Sequence, residues 1–317
     1  MNRKQLLNIL KIIVSVALLA FIFSTIDVAA FVEVIRRADP WWLLAGLAMM
    51  ILGVFIRAYR WQILLDAIGV PVRLGELSAI YFIGFLFNNL LPSGLGGDAI
   101  RMVELNRHSE RGSDAVTSVI VDRFLGLSAL QLLAIVALLF DWHAVPAAVA
   151  GFTVAIFAVG LVAGLLLINR PLYGWLQGNI GLFRRITRVK FIGNLFESFQ
   201  RYPLGALGYS YLVSIGFNMS LILMNVCIGR GLGAEATLAQ YAIFVPITSL
   251  VLVIPISFAG LGVREETYRQ LFGQVGVPGE VAVAMSLLVY VFGNIVTGII
   301  GGVIYLVRST RDAVRQQ

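Results

Sequence analysis

An apolar segment of this chain is interrupted by the stretch Asn88-Asn89-Leu90-Leu91-Pro92-Ser93-Gly94-Leu95-Gly96-Gly97-Asp98-Ala99-Ile100-Arg101. It holds a helix-breaking proline, three glycines, two amides and a carboxylate–guanidinium pair. In a soluble protein these residues would form an ordinary loop. Inside a membrane, irregular backbone is tolerated only where it is buried in protein or lines a cavity. What the stretch means therefore depends on the chain around it.

The composition places that chain in a membrane. Of its 317 residues, 59% are hydrophobic and 13% are charged, about half of the roughly 25% charged residues in soluble domains. Several apolar runs of about 20 residues match the length of a helix that crosses a bilayer. We predict an all-α polytopic membrane protein that forms one domain over residues 1–317.

The net charge, the single cysteine and the spacing of the histidines argue against nucleic-acid binding, a disulfide and a metal site. The net charge of +7 fits basic loops that meet anionic headgroups, so we expect no nucleic acid partner. A single cysteine, Cys227, cannot form an intramolecular disulfide. His108 and His143 lie far apart and have no ligand residue at metal-binding spacing. We expect neither a metal nor a cofactor.

The apolar runs predict about six full spans, near residues 6–23, 40–65, 116–140, 145–168, 204–228 and 281–307. We expect the first to be an uncleaved helix that starts in the cytoplasm, although a signal peptide cleaved after residues 28–30 is the alternative. Residues 24–39 alternate apolar and charged side chains, which indicates a short amphipathic helix on the outer surface.

Basic residues predict the orientation. The longest polar segment, residues 169–203, carries six Lys and Arg residues and one Glu, so we expect a basic cytoplasmic loop with interfacial helices. Both termini should also be cytoplasmic. Near the inner end of the second span, Arg60 is expected to snorkel to the interface. Arg57 lies deeper, and we leave open whether it is an anchor or a cavity residue.

A second broken segment resembles the first: Pro255-Ile256-Ser257-Phe258-Ala259-Gly260-Leu261-Gly262. Both have a proline, then small residues, then Gly-Leu-Gly, then charged residues that restart a helix. In the predicted topology they are two re-entrant broken-helix hairpins that enter from opposite sides, an inverted-repeat arrangement. Corresponding broken helices in opposed halves indicate the binding site of a transporter.

The chemistry of the two segments suits an anion. Glycines allow close approach of backbone N–H groups, restarting helices present positive N-terminal ends, and arginines bind phosphate bidentately. The alternative is structural, because Gly-Leu-Gly also permits close helix packing and the charges lie at self-neutralising helical spacing. The candidate substrate-binding residues are Asn88, Asn89, Pro92, Gly94, Gly96, Gly97, Asp98, Arg101, Glu104, Asp122, Arg123, Gly260, Gly262, Arg264 and Glu265.

Three motifs carry a family resemblance: Asn88-Asn89-Leu90-Leu91-Pro92 with Gly96-Gly97-Asp98 and Arg101, then Asp122-Arg123-Phe124-Leu125-Gly126, then Gly260-Leu261-Gly262-Val263-Arg264-Glu265. In this order they resemble the lysylphosphatidylglycerol synthase transmembrane region, a flippase-like domain family, over essentially the whole chain. Asp122 stands where many members carry Glu. The resemblance stops short of the aminoacyl-transferase domain of full-length synthases, so no aminoacylation is expected.

The resemblance implies a protein of the bacterial or archaeal cytoplasmic (inner) membrane that moves a phospholipid or other phosphate-linked lipid between leaflets. We therefore expect a flippase or scramblase rather than an enzyme, with a membrane lipid as substrate. In that reading Asp98, Glu104, Asp122 and Glu265 pair with the arginines when the cavity is empty. No G-x-x-x-x-G-K-[ST] loop is present. Two alternatives remain open: a transferase acting on a lipid-linked phosphate, and an accessory scaffold for a lipid-synthesis enzyme. Homo-oligomerisation is also left open.

Overall fold

The computed structural model describes residues 3–90, 96–106, 112–181, 184–185, 196–197, 199–254 and 256–315. Within these ranges all regular structure is helical. Five helices are long and apolar enough to cross a membrane, and the bent pair Ile12–Thr25 and Val28–Arg36 raises the number to six. The predicted all-α polytopic fold is confirmed.

The first part of the chain contains α1 (Arg3–Thr25), α2 (Val28–Arg36), α3 (Pro40–Ala67), α4 (Leu74–Leu90), α5 (Gly96–Asn106) and α6 (Gly112–Phe140). The second part contains α7 (Ala147–Ile168), α8 (Arg170–Asn179), α9 (Leu204–Gly231), α10 (Leu238–Val251), α11 (Val263–Gly273), α12 (Gly279–Tyr290) and α13 (Thr297–Arg315). A π-helical segment, Val291–Val296, joins α12 to α13 in one long apolar helix.

Capping residues fix the helix starts in the connector between α1 and α3. Asp27 accepts hydrogen bonds from the Ala29 and Ala30 N–H groups and begins α2, which lies at 91° to the end of α1. Asp39 caps α3, whose first residue is Pro40. The short helix predicted in residues 24–39 is thus present, and it packs against α12.

The contacts between helices repeat in the two halves of the chain. Helices α3 to α6 correspond in order to α9, α10, α11 and the α12–α13 helix. The equivalent helices α3 and α9 pack against each other. Helix α4 packs against α3, α5 and α13, and its counterpart α10 packs against α9, α11 and α6. Each broken hairpin therefore contacts the long helix of the opposite half, as expected for two halves that form one site between them.

The contact between α4 and the last span is unusually close because of glycine. A Cβ at Gly301 would overlap the Phe82 carbonyl group, so only glycine permits this distance. About two turns away, the Asn89 side chain donates a hydrogen bond of 2.6 Å to the Asn294 carbonyl oxygen in the π-helical segment. This segment was not predicted; it places the end of α4 against the centre of the last span.

Helix α7 contributes little to the core. Its buried residues are Ala150, Thr153 and Leu167, whereas large side chains such as Phe152, Val159 and Val162 are exposed. Because the helix is also strongly apolar, these side chains face the bilayer in the membrane-embedded protein. This places α7 at the lipid-facing edge of the fold.

Candidate functional site

Asp122 on α6 is the centre of a buried polar network. Its side chain is fully buried, and Arg60 and Arg101 are each only 2% exposed. Oδ1 accepts a hydrogen bond of 2.7 Å from Arg60 Nε on α3. Oδ2 accepts bonds of 2.9 Å from the Tyr81 hydroxyl on α4 and 3.0 Å from Arg101 Nη2 on α5. One carboxylate thus joins three other helices of the first half.

A fourth helix reaches the network through Arg60. Its Nη1 donates to Ser214 Oγ on α9 at 3.0 Å. Gly126 leaves space for this guanidinium, because a Cβ there would lie 2.9 Å from Arg60 Nη1. The Gly126 carbonyl also accepts a hydrogen bond of 2.8 Å from Asn218 Nδ2 on α9. The network therefore lies where the two halves of the fold meet.

Aromatic rings hold the Arg101 guanidinium from two sides. Its Cζ lies 4.2 Å from the centroids of both the Trp61 and Tyr81 rings, a favourable cation–π geometry. Trp61 Nε1 is fixed by a hydrogen bond of 3.1 Å to Ser118. Arg101 Nη1 lies 3.6 Å from an Asp98 carboxylate oxygen, an ion pair without a hydrogen bond. Neither Nε nor Nη1 of this buried arginine has a hydrogen-bond partner.

Two further arginines enlarge the basic cluster. The Arg57 guanidinium lies 5.0 Å from the centroids of the Tyr81 and Phe217 rings, and its buried Nε has no hydrogen-bond partner. Arg123 forms an ion pair with Asp98 at the edge of the network. These four arginines and two aspartates sum to a formal charge of 4 − 2 = +2. The half-buried Glu104 on α5 would reduce that surplus to +1 without removing it.

The structure corrects one prediction for α3 and decides an open one. Arg60 does not snorkel to the interface; its guanidinium is buried on Asp122 and Ser214. The Arg57 guanidinium lies between the rings of Tyr81 and Phe217, which disfavours the anchor of the two alternatives. The prediction that Arg60 snorkels was wrong because the buried Asp122 carboxylate compensates its charge inside the fold.

Asn88 at the end of α4 holds the start of α5 in the first hairpin. The Gly97 N–H donates to Asn88 Oδ1 at 2.6 Å, and a Cβ at Gly97 would lie 2.8 Å from the Gly84 carbonyl oxygen. Gly96 is buried at the start of α5. In this conformation Gly97 serves helix packing, and its N–H is already occupied. Pro92 and Gly94 lie outside the described residues.

The second hairpin has a different chemistry from the first. Glu265 Oε2 accepts a hydrogen bond of 2.5 Å from the Gly262 N–H, and Oε1 accepts one of 3.0 Å from Ser286. Glu265 thus caps α11 instead of pairing with an arginine, so that expectation was wrong. A capping carboxylate is favoured here because it meets the positive end of the helix.

Arg264 lies beside this cap. Its Nη2 donates to the Ala259 carbonyl oxygen at 3.3 Å, its Cζ lies 5.2 Å from the Tyr290 ring centroid, and the buried Nη1 has no hydrogen-bond partner. The preceding turn is left-handed, with φ of 50° at Ala259, 78° at Gly260 and 84° at Gly262. Gly262 is also required for packing, because a Cβ there would collide with Leu18.

The predicted residues thus fall into two sets of contacts. Asp98, Arg101, Asp122 and Arg123 meet in the first network, whereas Arg264 and Glu265 belong to the second. Sequence reasoning missed Tyr81, Trp61 and Ser214, and it placed Arg60 wrongly. Two arginines three residues apart inside an apolar span were the available signal, since intramembrane charges mark functional sites by default. Within the described ranges, no three His, Cys, Asp or Glu side chains are arranged to hold a metal ion.

Comparisons with known proteins agree on one family. The family model described as the lysylphosphatidylglycerol synthase TM region matches residues 8–301. A UPF0104 membrane protein of Methanothermobacter thermautotrophicus is 26% identical over 299 residues, which cover 87% of this chain and 88% of that protein. A UPF0104 membrane protein of Pyrococcus horikoshii is 25% identical over 321 residues, covering 94% of this chain and 96% of its own length.

Proposed function

The chain belongs to the lysylphosphatidylglycerol synthase TM region family, and we propose that it moves an anionic or phosphate-linked lipid between the two leaflets of its membrane. The headgroup would bind at the Asp122 network while the acyl chains stay in the bilayer. The family and the multi-pass fold are the premises of this proposal. The choice of an anionic headgroup rests on the charges of the network.

One observation carries the proposal: two buried arginines, Arg60 and Arg101, share the single fully buried carboxylate of Asp122, and part of the guanidinium surface around it is not hydrogen-bonded. Charged side chains inside a membrane are costly unless compensated. The N–H groups of Arg101 and Arg57 that lack partners are donors suited to phosphate oxygens. A headgroup phosphate would neutralise the surplus and accept these hydrogen bonds.

The repeat architecture supplies a route for movement. Each hairpin packs against the long helix of the opposite half, so a shift of one half relative to the other would open the site toward one side and close it on the other. On the second hairpin, the buried Arg264 Nη1 is a further donor for the headgroup. We propose that Arg101 and Arg264 contact the phosphate in alternate states.

The same proposal includes the orientation of the chain in the membrane, the membrane in which it lies and its partners. We propose that both termini face the cytoplasm, because the basic residues of the 169–203 segment and of the C-terminal end lie on one side in this topology. The membrane would be the cytoplasmic membrane of a bacterium or archaeon. The protein would act as a transporter without catalysing a reaction, alone or as an oligomer, or beside an enzyme that makes its lipid.

Reconstitution tests this function. Purified protein in liposomes should carry an anionic phospholipid, labelled on an acyl chain, from the inner leaflet to the outer leaflet, where an impermeant quencher reaches the label. Replacing Arg101 by Gln removes a phosphate donor but leaves the Arg60–Asp122 pair intact, so the protein should fold and its rate should fall about tenfold or more. Arg264→Gln should have a similar effect.

The matched control is Arg37→Gln, because Arg37 is 80% exposed and pairs with the exposed Glu33 on α2. This variant should transport at the wild-type rate. Wild-type rates in both Arg101→Gln and Arg264→Gln, in protein that elutes as a single species, would contradict the assigned roles.

A further inference from the structure

A groove separate from the Asp122 network runs between α6, α7 and α9. Its volume is about 590 Å³, within the roughly 300–1,000 Å³ of ligand pockets. Its walls are mainly apolar side chains such as Leu132, Phe157 and Leu207, with Gly160, Gly164 and Gly208 along its surface. Because α7 is a lipid-facing helix, this groove opens to the bilayer.

The groove lies on the far side of α6 from the network. Phe124, Ser128 and Gln131 line it, whereas Ser118, Asp122 and Gly126 face Trp61 and Arg60. At 3.6 residues per turn, these two sets lie roughly half a turn apart around the helix. The groove is therefore a distinct site and not an extension of the ionic one.

The length of the groove matches one leaflet. On α7 its lining extends from Ile156 to Ile168, about 18 Å at a rise of about 1.5 Å per residue. Half of a hydrocarbon core about 30 Å thick is about 15 Å. A single extended acyl chain of one leaflet would thus fill the groove from end to end.

One end of the groove is polar. There it adjoins a second cavity of about 460 Å³, with which it shares Ile168, Phe199, Leu204 and Leu207. This second cavity is also lined by Asn169, Gln200 and Tyr202, and both Glu197 and Arg201 line a neighbouring pocket with Gln200. The end of α7 at Ile168 is where the apolar helix meets the basic 169–203 segment. An apolar channel with a polar mouth has the shape and polarity of a lipid.

We propose that this groove binds one membrane phospholipid, with an acyl chain between α6, α7 and α9 and the headgroup beside Asn169 and Gln200. The bound lipid would seal a gap between α7 and the rest of the fold. This site is independent of the transport proposal, because it requires no movement of lipid across the membrane and no contact with Asp122.

Glycines allow the groove to be filled without disturbing its walls. An added Cβ at Gly160 or Gly208 would meet no atom within 4 Å, and both residues line the groove. The double variant Gly160→Leu/Gly208→Leu therefore occupies the space of the acyl chain. The matched control is Gly151→Leu/Gly216→Leu, on the same two helices, equally open and outside the groove.

The test uses full-length protein in liposomes that contain a phospholipid with a photoactivatable diazirine in the middle of one acyl chain. After irradiation, labelled peptides are mapped by mass spectrometry. We expect labelling to concentrate on groove residues such as Leu132, Phe157 and Leu250, to fall at least fivefold in the groove-filling variant and to be unchanged in the control variant. Labelling spread evenly over Phe152, Val159 and the other bilayer-facing residues of α7 would overturn the proposal.

A second measurement identifies the occupant. Leu161→Cys places a thiol at the groove, so a disulfide-linked dimer under mild oxidation would show that a second copy of the chain covers it and would overturn the lipid assignment. We expect no disulfide-linked dimer. Lipid transport is measured on the same preparations, so a failed transport proposal would not be confused with a failed groove proposal.

Discussion

Replacing Asp122 by Asn is the perturbation with the most clearly defined consequence. The wild-type carboxylate accepts hydrogen bonds from Arg60 at 2.7 Å, Tyr81 at 2.9 Å and Arg101 at 3.0 Å, and all of these groups are buried. Asn keeps the shape of the side chain. It removes the negative charge and turns one acceptor into a donor that faces another donor.

The expected loss of stability in Asp122→Asn follows from those contacts. Hydrogen bonds to charged groups contribute about 1.5–3 kcal/mol each, and removing one partner of a buried ion pair costs about 3–5 kcal/mol. Because Asn retains one acceptor oxygen, we expect a loss near the lower bound, about 3 kcal/mol. Glu33→Gln is the control, since Glu33 is 47% exposed and its partner Arg37 is 80% exposed. Such a pair contributes less than about 1 kcal/mol.

Stability can be measured in mixed micelles by titration with SDS, with intrinsic tryptophan fluorescence as the signal. Asp122→Asn should unfold at clearly lower SDS fractions than Glu33→Gln. Adding Arg60→Gln to Asp122→Asn should recover part of the loss, because it removes one of the unpaired charges. Equal stability of Asp122→Asn and wild type, or strictly additive effects in the double variant, would refute the account of a buried, mutually compensating network.

Two glycine predictions follow from backbone geometry and are checked by the same SDS titration. Gly301→Ala should destabilise the protein strongly, since its Cβ would overlap the Phe82 carbonyl group. Gly302→Ala, whose Cβ would lie 3.7 Å from the nearest atom, should be neutral or stabilising by up to about 1 kcal/mol. The reverse order would contradict the close α4–α13 packing. Gly260→Ala should cost about 1–2 kcal/mol because φ is 78° there, and a neutral effect would show that the left-handed turn is not required.

The sequence was sufficient for the helical layout because each span has a direct physical signature. Runs of about 20 apolar residues predicted the spans, and the ends of α7 and α9 fall within about three residues of the predicted limits. Paired prolines and Gly-Leu-Gly motifs predicted two helix breaks in corresponding places. The packing of each hairpin against the long helix of the opposite half is consistent with that prediction.

The site was harder to predict from the sequence because its contacts join residues distant in sequence. Asp122 binds Arg60 across 62 positions and Tyr81 across 41, and no local pattern marks such pairs. Arg60 looked like an interfacial anchor because its compensating carboxylate lies on another helix. Glu265 looked like an ion-pair partner of Arg264, whereas a local capping bond to Gly262 is preferred. The π-helical segment near Asn294 has no sequence signal that propensity alone would reveal.

The central claim, that the buried arginines of the Asp122 network bind a lipid phosphate during transport, is tested most directly by headgroup selectivity in wild-type proteoliposomes. Three probes with the same labelled acyl chains would be compared: an anionic phospholipid, a zwitterionic phospholipid and a phosphate-free glycolipid. We predict that protein-dependent transbilayer movement is fastest for the anionic phospholipid and slowest for the glycolipid. Movement of the glycolipid at the same rate as the anionic phospholipid, or no movement above protein-free liposomes, would contradict the account.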